Sequence, residues 1–262
     1  CYEYRDRRED ETAEAYGLRV ADELDAKINA LGAETVIAFI AETVVGATAG
    51  AVPPAPGYFK RIREICDRHG ILLIFDEVIT AFGRTGNRFG ANTFDVQPDL
   101  ITVAKGLTNG AVPMGAVLAS GDIYDTFMTG PEGAIEFFHG YTYSGHPLAA
   151  AAGCATLDVY TSEGLFERAL SLEDTFADAL HSLKGEPNVI DVRNLGLIGA
   201  VELTPIDGQP TARAMSIFRE CFDKGVIIRT TGDTLAFSPP LIIDKTQIAI
   251  VVDAVRSALH NQ

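Results

Sequence analysis

The chain has 262 residues, of which 47% are apolar, and its 36 acidic side chains against 21 Lys and Arg give a formal net charge of −15. This length is enough for one large or two modest hydrophobic cores. The negative charge opposes nonspecific binding to nucleic acid or anionic membranes, because phosphate contacts need clustered Lys and Arg. We therefore expect a folded protein with neither nucleic acid nor membrane as a partner.

The first third of the chain alternates helical periodicity with short apolar runs, which is typical of α/β proteins. Residues 35–40 predict a strand, and the Gly-, Ala- and Pro-rich residues 46–57 predict irregular structure. That segment either lets backbone approach a ligand closely or is simply a tight loop. A first helix with one buried face is predicted by four apolar residues at helical spacing: Val20, Leu24, Ile28 and Leu31.

A β-α-β unit follows. Tyr58, Ile62 and Ile65 predict the buried face of its helix, and residues 71–75 predict the strand after it, with a right-handed crossover. Asn109-Gly110 lies between apolar runs at 101–104 and 116–119, which favours an antiparallel pairing of those two strands.

The second half predicts a smaller α+β unit. A long Ala-rich helix begins at Pro147, which suits a first helical turn. We divide the chain into a cofactor-binding portion, residues 1–155, and a small C-terminal domain, residues 156–262. The elements predicted in the small domain are helices at 165–183 and 212–224, strands at 189–191, 197–203 and 226–229, and a final helix from Lys245.

Two charged residues end the apolar runs of the first half. Asp76 follows residues 71–75, and Lys105 follows residues 100–104. Such runs predict strands buried on both faces, so both charges emerge at strand ends, where open α/β sheets bind ligands. This pairing is typical of a pyridoxal phosphate site. An Asp keeps the pyridine nitrogen protonated, and a Lys forms a Schiff base with the aldehyde and moves protons.

Val78, two residues beyond Asp76, projects to the same side of an extended chain and could pack flat on the cofactor ring. The alternative interpretation is that Asp76 merely ends a strand and Lys105 is solvated, since short motifs carry a real false-positive risk.

Residues 39–120 resemble the class III, or omega-type, aminotransferases of the fold type I pyridoxal phosphate superfamily. The resemblance rests on GYFKRIREIC at 57–66, LIFDEVITAFGRTG at 73–86 and PDLITVAKG at 98–106. TNGAVPMGAV at 108–117 is most similar to the omega-amino acid:pyruvate branch, which uses beta-alanine and related amines. The resemblance implies a mostly parallel large-domain sheet plus a small α+β domain, and pyridoxal 5'-phosphate as cofactor, bound by Lys105, Asp76 and Val78.

Further roles are implied downstream by the same resemblance. HGYTYSGHP at 139–147 matches the segment whose threonine donates to the cofactor phosphate of the neighbouring subunit, which assigns Thr142 that role and implies a homodimer. GVIIR at 225–229 matches the strand whose arginine grips a substrate carboxylate, which assigns Arg229. The alternative for Arg229 is a surface arginine on an edge strand. In relatives, the glutamate matching Glu42 can hold the arginine when no carboxylate is bound.

This sequence departs from the family at two substrate-side positions. Glu42-Thr43 and Arg229-Thr230 replace the usual Glu-Pro and Arg-Pro, so each loop loses a residue that fixes φ. We expect lower local rigidity at both places.

The resemblance covers a C-terminal portion of the family. The family's phosphate-cradling turn precedes the region matched here, and the aromatic that stacks on the cofactor ring is missing too. We therefore expect the 262-residue polypeptide alone to bind pyridoxal phosphate poorly and to transaminate little.

Other interpretations remain open or are disfavoured. Within the family, an aminomutase or decarboxylase could use the same Lys and Asp, and a truncated, dimerising fragment without catalysis is a further possibility.

No metal site is expected, because His139 and His146 have no accompanying ligand set. We expect the four cysteines to be free thiols, with Cys66 and Cys154 buried, in a cytoplasmic enzyme.

Overall fold

The computed structural model describes residues 3–133 and 137–262. It confirms the predicted α/β class, with two four-stranded sheets and helices packed against them. The first sheet has the order β1-β2-β3-β4, where β1 is Ala38–Glu42, β2 is Leu72–Asp76, β3 is Leu100–Val103 and β4 is Ala116–Ala119.

The first three strands are parallel, and β4 is antiparallel to β3. This confirms the antiparallel pairing predicted around Asn109-Gly110, where both residues have positive φ, 50° and 77°. The strand predicted at 35–40 instead begins at Ala38, because a 3-10 turn, Ala33–Thr35, occupies the start of that run.

Helices α1 to α5 belong to this first part: α1 is Glu3–Asp6, α2 is Ala13–Leu31, α3 is Tyr58–His69, α4 is Gly90–Phe94 and α5 is Gly121–Phe127. The core between α2, α3 and β2 includes Ile62, Ile65, Leu73 and Phe75, all fully buried. Apolar residues on the α3 and β2 runs therefore pack together as their periodicity predicts.

The buried face of α2 differs from the predicted one. The structure buries Tyr16, Gly17, Ala21 and Ile28, whereas Leu31 is 52% exposed. A Cβ at Gly17 would lie 2.2 Å from the Pro56 carbonyl oxygen, so this glycine permits a close approach. The helix is rotated toward its small residues, which a count of large apolar side chains does not detect.

The second sheet is antiparallel throughout, with the order β5-β6-β8-β7. Its strands are β5, Val189–Leu195, β6, Ile198–Leu203, β7, Arg229–Thr231, and β8, Thr234–Phe237. The strand predicted at 226–229 begins at Arg229, and β8 was not predicted. Val226 and Ile228 are buried without ladder pairing, so their apolar pattern imitates a strand.

Four helices complete the second part: α6 is Pro147–Ser162, α7 is Leu165–His181, α8 is Ala212–Asp223 and α9 is Lys245–His260. Their shared core also takes in Ala81, Phe82 and Val103 from the first part, so packing is continuous between the two sheets. The predicted division after residue 155 falls inside α6.

Three thiols are free: Cys66 and Cys221 are buried, whereas Cys154 on α6 is exposed, contrary to the prediction. Cys1 lies outside the described residues. Within residues 3–133 and 137–262, no helix has the length and apolar character that crossing a membrane requires.

Candidate active site

The parallel register aligns the carboxyl ends of β1, β2 and β3. Glu42 pairs with Asp76, and Asp76 pairs with Thr102, at neighbouring positions roughly 4.8 Å apart between strands. The Glu77 N–H donates to the Thr102 carbonyl at 2.9 Å, which extends the contact past the end of β2. Lys105 lies three residues beyond Thr102. The structure therefore brings Asp76 and Lys105 to the same edge of the first sheet.

Asp76 is half-buried, on the same face of β2 as Ile74. Its Oδ1 accepts from the Val78 N–H at 3.0 Å, which orients the carboxylate beyond the strand end. Across the described part of the chain, Oδ2 has no hydrogen-bond partner. One oxygen of this carboxylate is thus available to accept a proton-bearing group of a ligand.

Lys105 is exposed and begins a 3-10 turn, Lys105–Leu107, with φ at +44°. Left-handed backbone costs a non-glycine residue about 1–2 kcal/mol, so surrounding contacts must hold it. Two bonds within the turn contribute: Leu107 N–H to Ala104 O at 3.0 Å and Thr108 N–H to Lys105 O at 3.3 Å.

Two cavities adjoin at Ala104 and Lys105. The first, about 670 Å³, is lined by Lys105 and also by Arg229, Arg84 and Tyr160. The second, about 870 Å³, is lined by Ala104 and by Val78, Met114, Tyr141 and Tyr143. The predicted cofactor residues Lys105 and Val78 therefore face neighbouring cavities, and the predicted substrate residue Arg229 shares the cavity of Lys105.

Thr142 lies on an exposed turn. The Ser144 N–H donates to the Tyr141 carbonyl at 2.9 Å, and Ser144 Oγ accepts from the Tyr141 N–H at 3.0 Å. The turn thus presents Thr142 outward, between two tyrosines that line the second cavity.

Glu42 and Arg229 are linked through Gly46. Glu42 Oε2 accepts from the Gly46 N–H at 2.9 Å, and Arg229 Nη2 donates to the carbonyls of Gly46 at 3.4 Å and Ala47 at 3.1 Å. Within the described residues there is no direct ion pair between the two side chains. Because its partners are neutral carbonyls, the Arg229 guanidinium keeps its charge available for a carboxylate.

Residues 46–51 are fixed by side chains of the second sheet. Arg193 donates to the carbonyls of Gly50 and Ala49, each at 2.8 Å. Thr231 Oγ1 donates to the Ala47 carbonyl at 3.0 Å. The segment that the sequence predicted as irregular is therefore held in place, and it carries the acceptors of Arg229.

A buried polar chain beside Asp76 was not predicted. Thr43 Oγ1 donates to Thr80 Oγ1 at 2.7 Å, and Thr80 Oγ1 donates to Glu77 Oε2 at 3.3 Å. Glu77 also accepts from the N–H groups of Gly90 and Ala91. The Thr43 hydroxyl thus adds a tether at the position where the family's proline would fix φ.

Burial raises the pKa of Glu77, and the N–H donors of Ala91 and Gly90 oppose that rise. The side chains of β2 alternate between two faces, and residue 77 follows Leu73 and Phe75 on the face toward the core. This alternation in the sequence could have predicted that Glu77 is buried.

Arg84 connects the two parts of the molecule beneath the first cavity. It donates to the carbonyls of Leu197, at 3.0 Å, and Pro239. Burial lowers its pKa to about 10, so it remains charged near neutral pH.

As for metals, the residues that the structure describes contain no group of three or more His, Cys, Asp or Glu placed to hold an ion.

The fold and this edge define an α/β protein with an amine and a carboxylate at the carboxyl ends of neighbouring parallel strands. Residues 2–259 match the family model described as Aminotransferase class-III. The chain belongs to the class III aminotransferase family, and its fold is that of the fold type I pyridoxal phosphate enzymes.

The relatives agree on this family. An omega-aminotransferase of Caulobacter vibrioides is 55% identical over 93% of this chain and 55% of its own length. A beta-alanine–pyruvate aminotransferase of Pseudomonas aeruginosa is 49% identical over 95% of this chain and 56% of its own. The chain therefore spans about half the length of these curated relatives.

Solved structures of transaminases superpose on the whole chain. A thermostable omega transaminase mutant from Pseudomonas jessenii is 34% identical, with a TM-score of 0.92, and matches 100% of this chain and 59% of that one. An (S)-enantioselective omega-transaminase from Thermomicrobium roseum is 37% identical, with a TM-score of 0.91, over 99% and 58% of the two chains.

Class III aminotransferases depend on pyridoxal 5'-phosphate, and the described residues fit this cofactor. Asp76 has a carboxylate oxygen without a protein partner, as a pyridinium N–H requires. Lys105 has an exposed amine at the same sheet edge, and Val78 lines the adjoining cavity.

Proposed function

We propose that the protein transfers an amino group from an omega-amino acid or amine, such as beta-alanine, to a 2-oxo acid such as pyruvate. The proposal depends chiefly on the parallel register that brings Asp76 and Lys105 to one sheet edge. The names and identities of the relatives support the substrate class: omega-aminotransferase at 55% and beta-alanine–pyruvate aminotransferase at 49%.

In this proposal, two residues serve the cofactor. When bound, pyridoxal phosphate supplies a protonated ring that accepts the electron pair left on the donor carbon. Asp76 holds the ring-nitrogen proton by a charge-assisted hydrogen bond. Lys105 would hold the cofactor through its ε-amine, and the same amine, as a general base, would accept and return the proton of the amino donor.

Arg229 binds the substrate carboxylate in the cavity it shares with Lys105. The guanidinium exchanges its neutral carbonyl acceptors, Gly46 and Ala47, for a carboxylate, which it can grip bidentately. Because a charged acceptor binds more strongly than a neutral one, this exchange favours substrates that carry an acid group.

We also propose that the active protein is a homodimer in which Thr142 reaches the partner's cofactor phosphate. Thr142 is exposed, and apolar side chains around it are exposed as well: Phe138 is 90%, Tyr143 80% and Tyr141 77% accessible. A second copy covering this face would remove that apolar surface from water.

A cytoplasmic location is proposed too. Cys66, Cys154 and Cys221 are free thiols, which is typical of a reducing compartment. Cell fractionation with an antibody against the protein tests this assignment, and recovery in an oxidising extracellular fraction would contradict it.

The function is tested on protein expressed from the complete reading frame that encodes this chain. The wild type should form alanine from beta-alanine and pyruvate, and Lys105→Ala should lose this activity. Lys27→Ala, which removes an exposed lysine of α2, is the matched control and should keep it.

The same assay separates the alternatives. Product formed from the amino donor without any 2-oxo acid would indicate an aminomutase or decarboxylase. A wild type that binds no pyridoxal phosphate and transfers no amino group would contradict the proposed function and favour a non-catalytic dimerising protein.

A further inference from the structure

Lys105 depends on contacts outside its own turn to keep a left-handed backbone. Its φ of +44° is costly for a side chain with a Cβ, and the two bonds within the turn are both local. A contact from a rigid, buried element is needed to keep this conformation occupied.

Tyr160 of α6 supplies that contact. Its hydroxyl donates to the Gly106 carbonyl at 2.7 Å and lies 3.2 Å from Asn109 Oδ1. Gly106 is the residue after Lys105, and Asn109 is the next left-handed non-glycine residue, with φ at +50°. One hydroxyl therefore contacts two residues of the segment that directly follows Lys105.

The Tyr160 ring is held firmly. It is 3% exposed and stacks on Phe82, with ring centroids 6.0 Å apart and an angle of 10° between the planes. Phe82 is itself fixed, since its N–H donates to the Arg88 carbonyl at 2.7 Å. Burial also raises the pKa of Tyr160, so the hydroxyl keeps its proton and remains a donor.

Gly106 fits this arrangement because it has no side chain. A Cβ there would lie 3.0 Å from Phe82 Cβ and 3.3 Å from Tyr160 Oη. The Lys105 turn therefore packs closely against the Phe82–Tyr160 pair.

We propose that Tyr160 is a positioning residue for Lys105, holding the Lys105–Leu107 turn through Gly106 so that the ε-amine stays at the first cavity, which Lys105 lines. The residue does not contact the reacting atoms and acts only through the backbone. This inference rests on the proposed function for its catalytic consequence, but the bond from the hydroxyl to the turn can be tested without a cofactor.

The decisive variant is Tyr160→Phe, which keeps the stacked ring and removes only the hydroxyl. The matched control is Tyr16→Phe, which removes the hydroxyl of another fully buried tyrosine, on α2, outside the core cluster that contains Tyr160. Both variants and the wild type are made from the complete reading frame. Each variant loses one buried hydroxyl, so a general loss of stability is the same kind of change in both.

The first measurement is cofactor-free hydrogen exchange. We expect Tyr160→Phe, but not Tyr16→Phe, to speed exchange at the amides of Leu107 and Thr108, because these donate within the turn. Unchanged exchange at both amides would overturn the proposal, whether or not the protein binds pyridoxal phosphate.

The second measurement is chemical. Lys105 condenses with added pyridoxal 5'-phosphate, releasing water, and borohydride delivers hydride to the resulting C=N bond, which fixes the label for mapping by mass spectrometry. Labelling yield is followed at one pH, with the exposed Lys27 and Lys245 as internal references. In Tyr160→Phe we expect the yield at Lys105 to fall toward that of the reference lysines.

The third measurement is kinetic. We expect kcat of Tyr160→Phe to fall roughly tenfold, with KM for the amino donor within about twofold, because misplacement of a reacting group raises the barrier more than it weakens binding. Equal labelling of Lys105 and equal kcat in Tyr160→Phe and Tyr16→Phe would overturn the positioning role. A wild-type Lys105 that labels no better than Lys27 would instead contradict the proposed function, and hydrogen exchange would still decide the role of the hydroxyl.

Discussion

The cofactor side and the substrate side of the candidate site are positioned in different ways. Asp76 and the end of β3, two residues before Lys105, are placed by the parallel backbone ladder between β2 and β3, over a short span of sequence. Arg229 comes from a different sheet and reaches the carbonyls of Gly46 and Ala47, more than 180 residues away along the chain. Side chains, rather than a ladder, bring these parts together.

This difference has a physical consequence. A hydrogen-bonded ladder leaves little freedom to the residues at its end, which suits groups that must hold a cofactor. The predicted burial on both faces is not observed, since β2 buries Leu73 and Phe75 but leaves Ile74 half-buried. Contacts from Arg193, Thr231 and Arg229 to loop carbonyls can be exchanged one at a time, which suits a site that accepts more than one substrate. The predictions below test this division.

The largest effect is expected on the cofactor side. In Asp76→Asn, kcat should fall by about 10²–10³, because a neutral amide no longer keeps the ring nitrogen protonated. The measurement is the kcat for beta-alanine and pyruvate. Asp174→Asn, at an exposed position of α7, is the control and should match the wild type. Near-normal turnover in Asp76→Asn would contradict the proposed role of Asp76 at the cofactor ring.

A smaller effect, limited to binding, is expected on the substrate side. In Arg229→Lys, KM for a carboxylate-bearing donor should rise roughly tenfold or more, because an ammonium cannot replace the planar fork. KM for an amine without a carboxylate should change little. Arg219→Lys, an exposed arginine of α8, provides the comparison. Equal rises in KM for both donors would show that Arg229 does not bind the substrate carboxylate.

A still smaller effect on KM is expected when the hydrogen bonds from Thr231 to the loop at residues 46–51 are removed. Thr231→Val removes the hydroxyl that donates to Ala47 O at 3.0 Å and Thr48 O at 3.2 Å. One lost hydrogen bond of about 1 kcal/mol corresponds to roughly a fivefold rise in KM for the carboxylate donor. Thr230→Val, whose hydroxyl contacts Met215 Sδ, should not show this rise. Identical behaviour of the two variants would argue against support of Arg229 by the loop.

The smallest expected effect is on stability and concerns Glu77. Its folded-state pKa is raised above the ordinary value of 4.5, so the native protein binds a proton more tightly than the unfolded chain. The stability from this proton is fully present below pH 4.5 and is lost as pH rises through the folded pKa. Relative to Glu77→Gln, the wild type's free energy of unfolding should therefore decline over that window.

Urea unfolding at a series of pH values measures this difference. Glu167→Gln, at an exposed position of α7, should give a difference from the wild type that is nearly constant over the window. A constant difference for Glu77→Gln as well would contradict the raised pKa.

The sequence predicted that Asp76 and Lys105 lie at one sheet edge, and the reason is physical. Apolar runs that end in Asp76 and Lys105 indicate buried parallel strands, and strands of this kind align their carboxyl ends whatever the details of packing. The α3 helix and the antiparallel β4 were predicted for equally local reasons, periodicity and a turn signal.

The remaining features depend on contacts that no local pattern records. Arg193 reaches Gly50 from 143 residues away, and Tyr160 reaches Gly106 from 54. The rotated face of α2 follows from a close contact at Gly17, and Cys154 is exposed because an Ala-rich helix has no strong preference for one face. Strand β8 is short and was not recognised between a glycine turn and prolines.

The most direct test of the central claim is a crystal structure of the protein, expressed from its complete reading frame and grown with pyridoxal 5'-phosphate. The account predicts continuous density from Lys105 Nζ to the cofactor and an Asp76 oxygen about 2.8 Å from the ring nitrogen. Density joining the cofactor to a different lysine, or Asp76 and Lys105 opening into separate solvent regions, would contradict it.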